Sequence, residues 1–249
     1  MEQLEGRICV EAALTARQRK IKLVLIRQGM HEKNIRTILD EATAQQIPIK
    51  YADARELDAL AHGKTHGGVV ALCSRKPQMK IEDLYEKIPR FSPQPFLLLL
   101  EGVDDAQNLG FTLRSAEALG VHAVLIKKHL WDFDASAISR ASSGAYERLP
   151  LVLFDQPERV LPRLKQMGLR LWGSLANASR TMYDVDLTQP SIIAIGGEKR
   201  GLSAAVRKQC DRFIKIPMLS DIGSLSLSHS ASIIMAEVMR QRLFGRMSD

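Results

Sequence analysis

Asn108 and Arg114 stand where many α/β sites begin. In LLLLEGVDDAQNLGFTLRSAEALGV, residues 97–121, an apolar run gives way to a polar turn and then to a helix that carries Arg114. Phosphate chemistry is the first to test, because Gly196 and Gly201 in IAIGGEKRGLS have the spacing of a P-loop. Leu202 stands where the phosphate-binding lysine belongs, and Ser203 alone does not replace it. That argues against a nucleoside triphosphatase. EGVDDAQNLG has the wrong glycines for a dinucleotide site. Metal chemistry is no better supported. His62 and His66 are four apart but lie in a glycine loop without a Glu between them, and no H-E-x-x-H or C-x-x-C occurs. They read as exposed polar groups of a loop, and no metal is expected. A serine nucleophile would need G-x-S-x-G, and none of Ser142, Ser143, Ser224, Ser226 and Ser228 sits in one. The serines at 224–232 read more simply as helix N-cap and packing residues.

The elements that must position these residues are legible in outline. IKLVLIRQ, IPIKYAD and VVALC read as strands, with helices over HEKNIRTILDEATAQQ and ARELDALA between them. They make a small α/β unit over residues 1–75. Pro77, Pro89, Pro93 and Pro95 then break regular structure around a short helical stretch, IEDLYEKI, so residues 76–95 read as a linker. From residue 96 to 249 the strands FLLLLEG, AVLIKK, LPLVLF, LRLWGSL, SIIAIGG and FIKIPM alternate with helices. They are runs of Leu, Ile and Val rather than in-out alternations. That predicts a mostly parallel sheet with both faces covered. The last helix is expected over 224–244, starting in the serine cluster.

Composition narrows the function class. The net charge of +7 makes a phosphate-rich partner, RNA or DNA, more probable than an average surface would. Lys20, Lys22, Arg27, Lys33, Arg36 and Lys64 could supply phosphate contacts. No signal peptide is visible, and the longest apolar run, Phe96–Leu100, is far too short to span a membrane. Cys9, Cys73 and Cys210 are isolated, which fits a reducing cytoplasm.

Three segments in order carry a resemblance. They are NLGFTLRSAEALGV (108–121), AIGGEKRGLS (194–203) and IPMLSDIGSLSLSHSASIIMAEVMR (216–240). They resemble the three motifs of the SpoU-type (TrmH-like) RNA ribose 2′-O-methyltransferases of the SPOUT superfamily. SRASSGAYERLPLV, 139–152, is similar to the segment between the first two motifs. LEGRICVEAAL and THGGVVAL are similar to that family's small ribosomal-protein-like RNA-binding domain. The resemblance implies an α/β fold whose C-terminal part threads a loop in a deep trefoil knot, beside a small N-terminal α/β RNA-binding domain. Knots are rare exceptions to the rules of topology.

The resemblance also implies roles. Gly196, Ile216 and Leu225 would line an S-adenosylmethionine site, mainly through backbone groups, with Gly197, Met218 and Ser224 close by. Arg114 matches the family arginine placed at the acceptor. Its very high pKa makes it a reluctant base, so binding the target phosphate or lowering the ribose hydroxyl pKa is the favoured role. Asn108 would hold Arg114 or the ribose, the two meeting only if Asn108 lies in the loop before the helix. Glu198 would orient an arginine, across a dimer interface in one version. One departure stands out. The family's third motif usually reads Ser-Leu-Asn-Val-Ser, and here Ser226 replaces the asparagine in Ser-Leu-Ser-Leu-Ser, with His229 and Ser230 following. His229 is then either a titratable group near the site or an ordinary helix-face histidine.

The leading expectation is an S-adenosylmethionine-dependent 2′-O-methyltransferase acting on ribosomal RNA, with transfer RNA next. It would work as a cytoplasmic homodimer without a membrane partner. Ile233, Ile234, Met235, Val238 and Met239 give the last helix more apolar surface than one stripe, which fits burial on two sides. The alternative is an RNA- or ribosome-binding protein of the same fold with weakened catalysis, supported by Ser226 alone.

Overall fold

The computed structural model describes residues 1–61, 66–91, 94–127, 133–220 and 223–245. His62, Lys64 and Pro93, named above, lie outside the described residues. The chain divides into two compact units, Met1–Pro77 with Phe133–Arg148, and Gln78–Asp132 with Leu149–Asp249.

The first unit is a four-stranded sheet in the order β1-β4-β2-β3. Its strands are β1 (Glu2–Glu5), β2 (Ile21–Arg27), β3 (Ile49–Ala52) and β4 (Val69–Cys73). β2 shows why it is half-sequestered on each side. Val24 and Ile26 join the core under α1 (Arg7–Ala16) and α2 (Glu32–Ala44), while Leu25 joins the smaller cluster with Leu57 of α3 (Ala54–Leu60). The unexpected members are α6 (Ala135–Ala141) and α7 (Ala145–Arg148). The sequence reading placed them within 96–249, but they pack with residues 1–77. Charge explains it. Arg19 forms a two-pronged pair with Glu147, Nε–Oε2 2.6 Å and Nη2–Oε1 3.0 Å, and both side chains are buried. Its Nη1 also reaches Glu2 and the Ser74 carbonyl. Burial pulls the Arg19 pKa down, but the Glu147 and Glu2 carboxylates more than offset it and the net shift is upward. Arg140 on α6 pairs with buried Glu5 at 2.9 Å.

Lys76 is buried beside this network and donates to the Tyr146 carbonyl. Burial, partly offset by Glu147, lowers its pKa to about 8 from 10.5. Between those values the unfolded chain holds the extra proton, so stability rises with pH across that window. Below it both states are protonated and the contribution is flat. The Tyr146 phenol, pushed up to about 12 by burial, opposes the rise only above the ordinary tyrosine range. Urea unfolding is therefore expected to show this unit about 1–2 kcal/mol more stable at pH ~9.5 than at pH ~7.5, and Lys76→Met should abolish the difference.

His66 corrects the reading of an exposed loop pair. It is buried, its Nδ1 accepts from Gly68 N at 3.0 Å and its Nε2 lies 3.0 Å from Asp58. The accepting Nδ1 places a proton on Nε2, so the ring is a satisfied structural group. Cys9, Cys73 and Cys210 are free thiols, the first two buried.

The second unit is a six-stranded sheet ordered β10-β8-β9-β5-β6-β7, every pair parallel. Its strands are β5 (Phe96–Glu101), β6 (Ala123–Lys127), β7 (Leu151–Phe154), β8 (Arg170–Ser174), β9 (Ser191–Gly196) and β10 (Arg212–Ile214). Every residue of β5 is buried, as a central strand covered on both faces requires. One face packs against α4 (Ile81–Lys87), α8 (Pro157–Gln166) and α9 (Ala204–Gln209). Leu84, Tyr85 and Ile88 belong to that core, so much of the expected linker is structural. α5 (Ala106–Ala118) packs against α10 (Leu227–Phe244), and α10 also meets β9.

Two boundaries differ from the sequence reading. β10 ends at Ile214, because Lys215 makes only a single bridge, to Thr181, and Pro217 has no N–H to extend a ladder. α10 begins at Leu227 with Ser226 as its N-cap. Its far end is held by Arg242, which donates to the carbonyls of Gln94 (2.9 Å) and Gln189 (3.0 Å) below the starts of β5 and β9. The helix thus runs the length of the sheet, from the strands' exit edge to their entry edge. Among the described residues, no helix is long and apolar enough to cross a membrane.

Candidate cofactor and acceptor site

The site is assembled where β5 and β9 leave the sheet. β5 ends at Glu101, and Gly102 turns the chain with φ +70°, a conformation that favours glycine. Asp105 caps α5, its Oδ1 accepting from Asn108 N at 2.7 Å and its Oδ2 from Asn108 Nδ2 at 2.9 Å. β9 ends at Gly196, and residues 197–201 fold back on themselves, Gly201 N donating to Gly197 O at 2.8 Å. The two exits touch backbone to backbone. A Cβ at Gly197 would lie 2.1 Å from Gly102 O, and one at Gly196 would lie 2.1 Å from Gly201 C. Only glycine fits either position.

A cavity of about 180 Å³ opens beside this contact. Its wall contains Gly196, Gly197, Ile216, Met218, Ser224 and Leu225, all six residues proposed from the sequence for a cofactor. It also contains Ser174–Ala176 at the exit of β8, with Gly201 and Ser230, which the sequence reading missed. The rule that ligands sit beyond the carboxyl ends of parallel strands would have pointed to Ser174–Ala176. The wall suits S-adenosylmethionine chemically. Glycine backbone is open to approach, Ile216, Met218 and Leu225 offer apolar surface to an adenine, and hydroxyls at 174, 224 and 230 can meet a ribose. Among the described residues no lysine, arginine or histidine lines it, so nothing there repels a sulfonium.

Asn108, Glu198 and the start of α10 form one network. Asn108 Oδ1 accepts from Ser228 Oγ at 2.9 Å, and Asn108 Nδ2 lies 3.5 Å from Glu198 Oε1. Glu198 Oε1 also accepts from Leu227 N at 3.3 Å, a carboxylate at the positive end of an 18-residue helix. Ser226 Oγ accepts from His229 N at 3.3 Å and lies 2.6 Å from His229 Nδ1. Serine and asparagine are comparable N-caps, so the departure at 226 keeps the helix start that the family's asparagine would give.

Arg114 does not join this network. Asn108 sits within the first turn of α5, not in the loop before it. Six residues at 100° each put Arg114 about 120° around the helix from Asn108. Arg114 is exposed, and among the described residues no hydrogen-bond or ion-pair partner holds it. Glu198 meets Asn108 and the start of α10, and among the described residues no arginine pairs with it.

Two family models cover most of the chain, the SpoU rRNA methylase family over residues 95–236 and the RNA 2′-O ribose methyltransferase substrate-binding domain over 3–79. The chain belongs to the SpoU family, and it is an RNA ribose 2′-O-methyltransferase that uses S-adenosylmethionine. Among its relatives, the 23S rRNA (guanosine-2′-O-)-methyltransferase RlmB of Pseudomonas aeruginosa is 34% identical over 97% of both chains. RlmB of Escherichia coli is 31% identical over 97% of this chain and 99% of its own. In structure, the SpoU methyltransferase AviRb from Streptomyces viridochromogenes matches 99% of this chain and 91% of its own, at TM-score 0.81 and 27% identity. Its complex with the cofactor AdoMet matches 98% of this chain and 91% of its own, at TM-score 0.77 and 25% identity.

The glycine contact gives a direct test. Gly197→Ala forces a Cβ against the Gly102 carbonyl, and backbone on both sides cannot step aside cheaply. Calorimetric titration is expected to show S-adenosylmethionine affinity falling by roughly tenfold or more, with a lowered melting temperature. Unchanged binding would mean that the two strand exits separate easily.

Proposed function

We propose that this protein methylates the ribose 2′-hydroxyl of a guanosine in 23S ribosomal RNA. The observation that carries the reading is the convergence of all three motif segments on one edge of the sheet, around a cavity whose wall suits the methyl donor. The RlmB relatives, similar over almost their whole length, support the choice of RNA and base.

When bound, S-adenosylmethionine supplies an activated methyl group on a sulfonium. Gly196, Gly197, Ile216, Met218, Ser224 and Leu225 would hold it. Arg114 has the other task. A ribose hydroxyl is a poor nucleophile near neutral pH, and a cation brought beside it stabilises the negative charge that grows as its proton leaves. The guanidinium is too weakly acidic to serve readily as the base. Asn108 positions rather than reacts, with its carbonyl taken by Ser228 and its amide by Asp105 and Glu198. Ser226 caps α10 and so fixes Leu225 at the cavity.

The proposal includes a substrate-binding role for residues 1–75, a trefoil knot, a homodimer and a cytoplasmic location. The knot is supported by the chain path, since β10 lies at the sheet edge beyond β8 while α10, next in sequence, packs on α5 and β9 near the middle. The dimer is supported by exposed apolar side chains on those two helices, Phe111, Leu243 and Phe244.

Transfer of a radioactive methyl group to ribosomal and transfer RNA, followed by mapping of alkali-resistant linkages, tests the activity. Label in 23S RNA at a 2′-O-methylguanosine is the expected result. Tight cofactor binding with no transfer to either RNA would favour instead a binding protein that has lost catalysis.

A further inference from the structure

A second and larger cavity, of about 430 Å³, shares the Gly197–Gly201 turn with the first, and its charged residues, Glu101, Asp104, Lys127, Lys199 and Arg200, have none of the motif roles above. It occupies the place where an ordinary doubly wound sheet binds its ligand. From β5 the chain proceeds outward through β6 to β7, whereas from β9 it proceeds the opposite way to β10. The crevice beyond the carboxyl ends of two such neighbouring strands is the usual binding position in open parallel sheets.

The floor of this cavity is built from charge. Glu101, 8% exposed, pairs with Lys127 from the next strand, and its other oxygen accepts from Ser203 N at 2.8 Å. Lys127 Nζ also donates to Ser203 Oγ at 3.0 Å. Both Glu101 oxygens are thereby used, and they aim the ammonium. An ammonium has three N–H groups. Among the described residues, two of them have protein acceptors, which leaves one for a ligand. Burying such a pair contributes little stability compared with apolar packing, so its place at the bottom of a cavity needs another reason. The rim carries Arg200, which has no ion-pair partner among the described residues, and Lys199, loosely paired with Asp104 at 3.5 Å with both side chains half or more exposed.

The available groups are therefore three cations and one carboxylate, Asp104. A bare anion would leave the carboxylate opposed, and a neutral ligand would leave the cations unused. We infer that this cavity seats one nucleotide of the RNA substrate, its phosphate on Lys127 and Arg200 and a donating base edge, such as that of guanine, on Asp104. The inference rests on the RNA methyltransferase reading and adds a recognition subsite to it. Both cavities have Gly197 and Gly201 in their walls, so the nucleotide is seated next to the methyl donor.

The test is a titration of the full-length protein, saturated with S-adenosylhomocysteine, with guanosine 5′-monophosphate followed by nuclear magnetic resonance. Arg200→Ala and Asp104→Asn change exposed groups and should leave the fold intact. Each is expected to weaken nucleotide binding at least about fivefold while S-adenosylhomocysteine affinity stays within about twofold. Arg159→Ala, on the exposed side of α8, removes the same charge elsewhere and should change nothing. Inorganic phosphate should compete only weakly. Absence of nucleotide binding in the wild type overturns the inference, as does equal weakening by Arg159→Ala. Methylation of RNA by the wild type is scored separately. An active enzyme without nucleotide binding sinks this subsite alone, and nucleotide binding by an inactive protein sinks the proposed function alone.

Discussion

Arg19→Met is expected to lower the stability of the N-terminal unit by about 3–5 kcal/mol, because it leaves a buried carboxylate without its partner. Glu147 is 1% exposed and receives two hydrogen bonds from the guanidinium, and Glu2 receives a third. Methionine restores some packing but no charge. The double variant Arg19→Met/Glu147→Leu should recover much of the loss, since a buried ion pair is often no better than apolar groups of similar volume. Lys76 reports on the same event. Arg19 is one of the causes that lower its pKa, and Glu147 raises it, so loss of Arg19 draws the lysine towards the orphaned carboxylate. The alkaline gain in stability described above should shrink accordingly. Urea unfolding with hydrogen exchange at the β4 amides would measure both effects. A double variant as unstable as the single one would show that the pair is essential to packing in a way that charge does not explain.

That network also marks where the sequence stops being readable. The strands of the second unit were plain, because a run such as FLLLLE buried on both faces has a composition that few other elements share. The six residues expected around a cofactor share one cavity wall because motif spacing along the chain survives as proximity in space. Arg19 and Glu147 are 128 residues apart and belong to no periodic pattern. Nothing local could announce that SRASSGAYER packs on the N-terminal sheet. The Glu101–Lys127–Ser203 array is hidden for the same reason, each member being an unremarkable residue at the end of a different element. Asn108 shows a subtler limit. The motif identified the residue, but its contacts depend on whether it lies before or within the first turn of α5, and a one-turn difference separates it from Arg114. Ser226 looked like a loss in the sequence because an amide offers more hydrogen bonds than a hydroxyl. As an N-cap, the role that the serine cluster at the helix start already suggests, the two are nearly equivalent.

Arg114→Ala is expected to reduce methyl transfer to RNA by roughly 10²–10³-fold, the range found when one preorganised donor to a developing oxyanion is removed. Cofactor affinity should stay within about threefold, because Arg114 is not in the wall of the cavity proposed to hold the cofactor. Its exposure and lack of a partner among the described residues predict a stability change within about 0.5 kcal/mol. These three readouts separate the possible roles. A structural arginine would lower the melting temperature, and a cofactor ligand would weaken S-adenosylmethionine. An acceptor-side cation changes the rate and RNA affinity alone. Arg114→Lys refines the assignment. Lysine keeps the charge but not the planar two-pronged fork, so it should restore only part of the rate if the guanidinium grips a phosphate and hydroxyl together. An Arg114→Ala protein that methylates at full rate would remove the residue from the mechanism. The developing charge on the ribose oxygen would then have to be met by a group outside the described network.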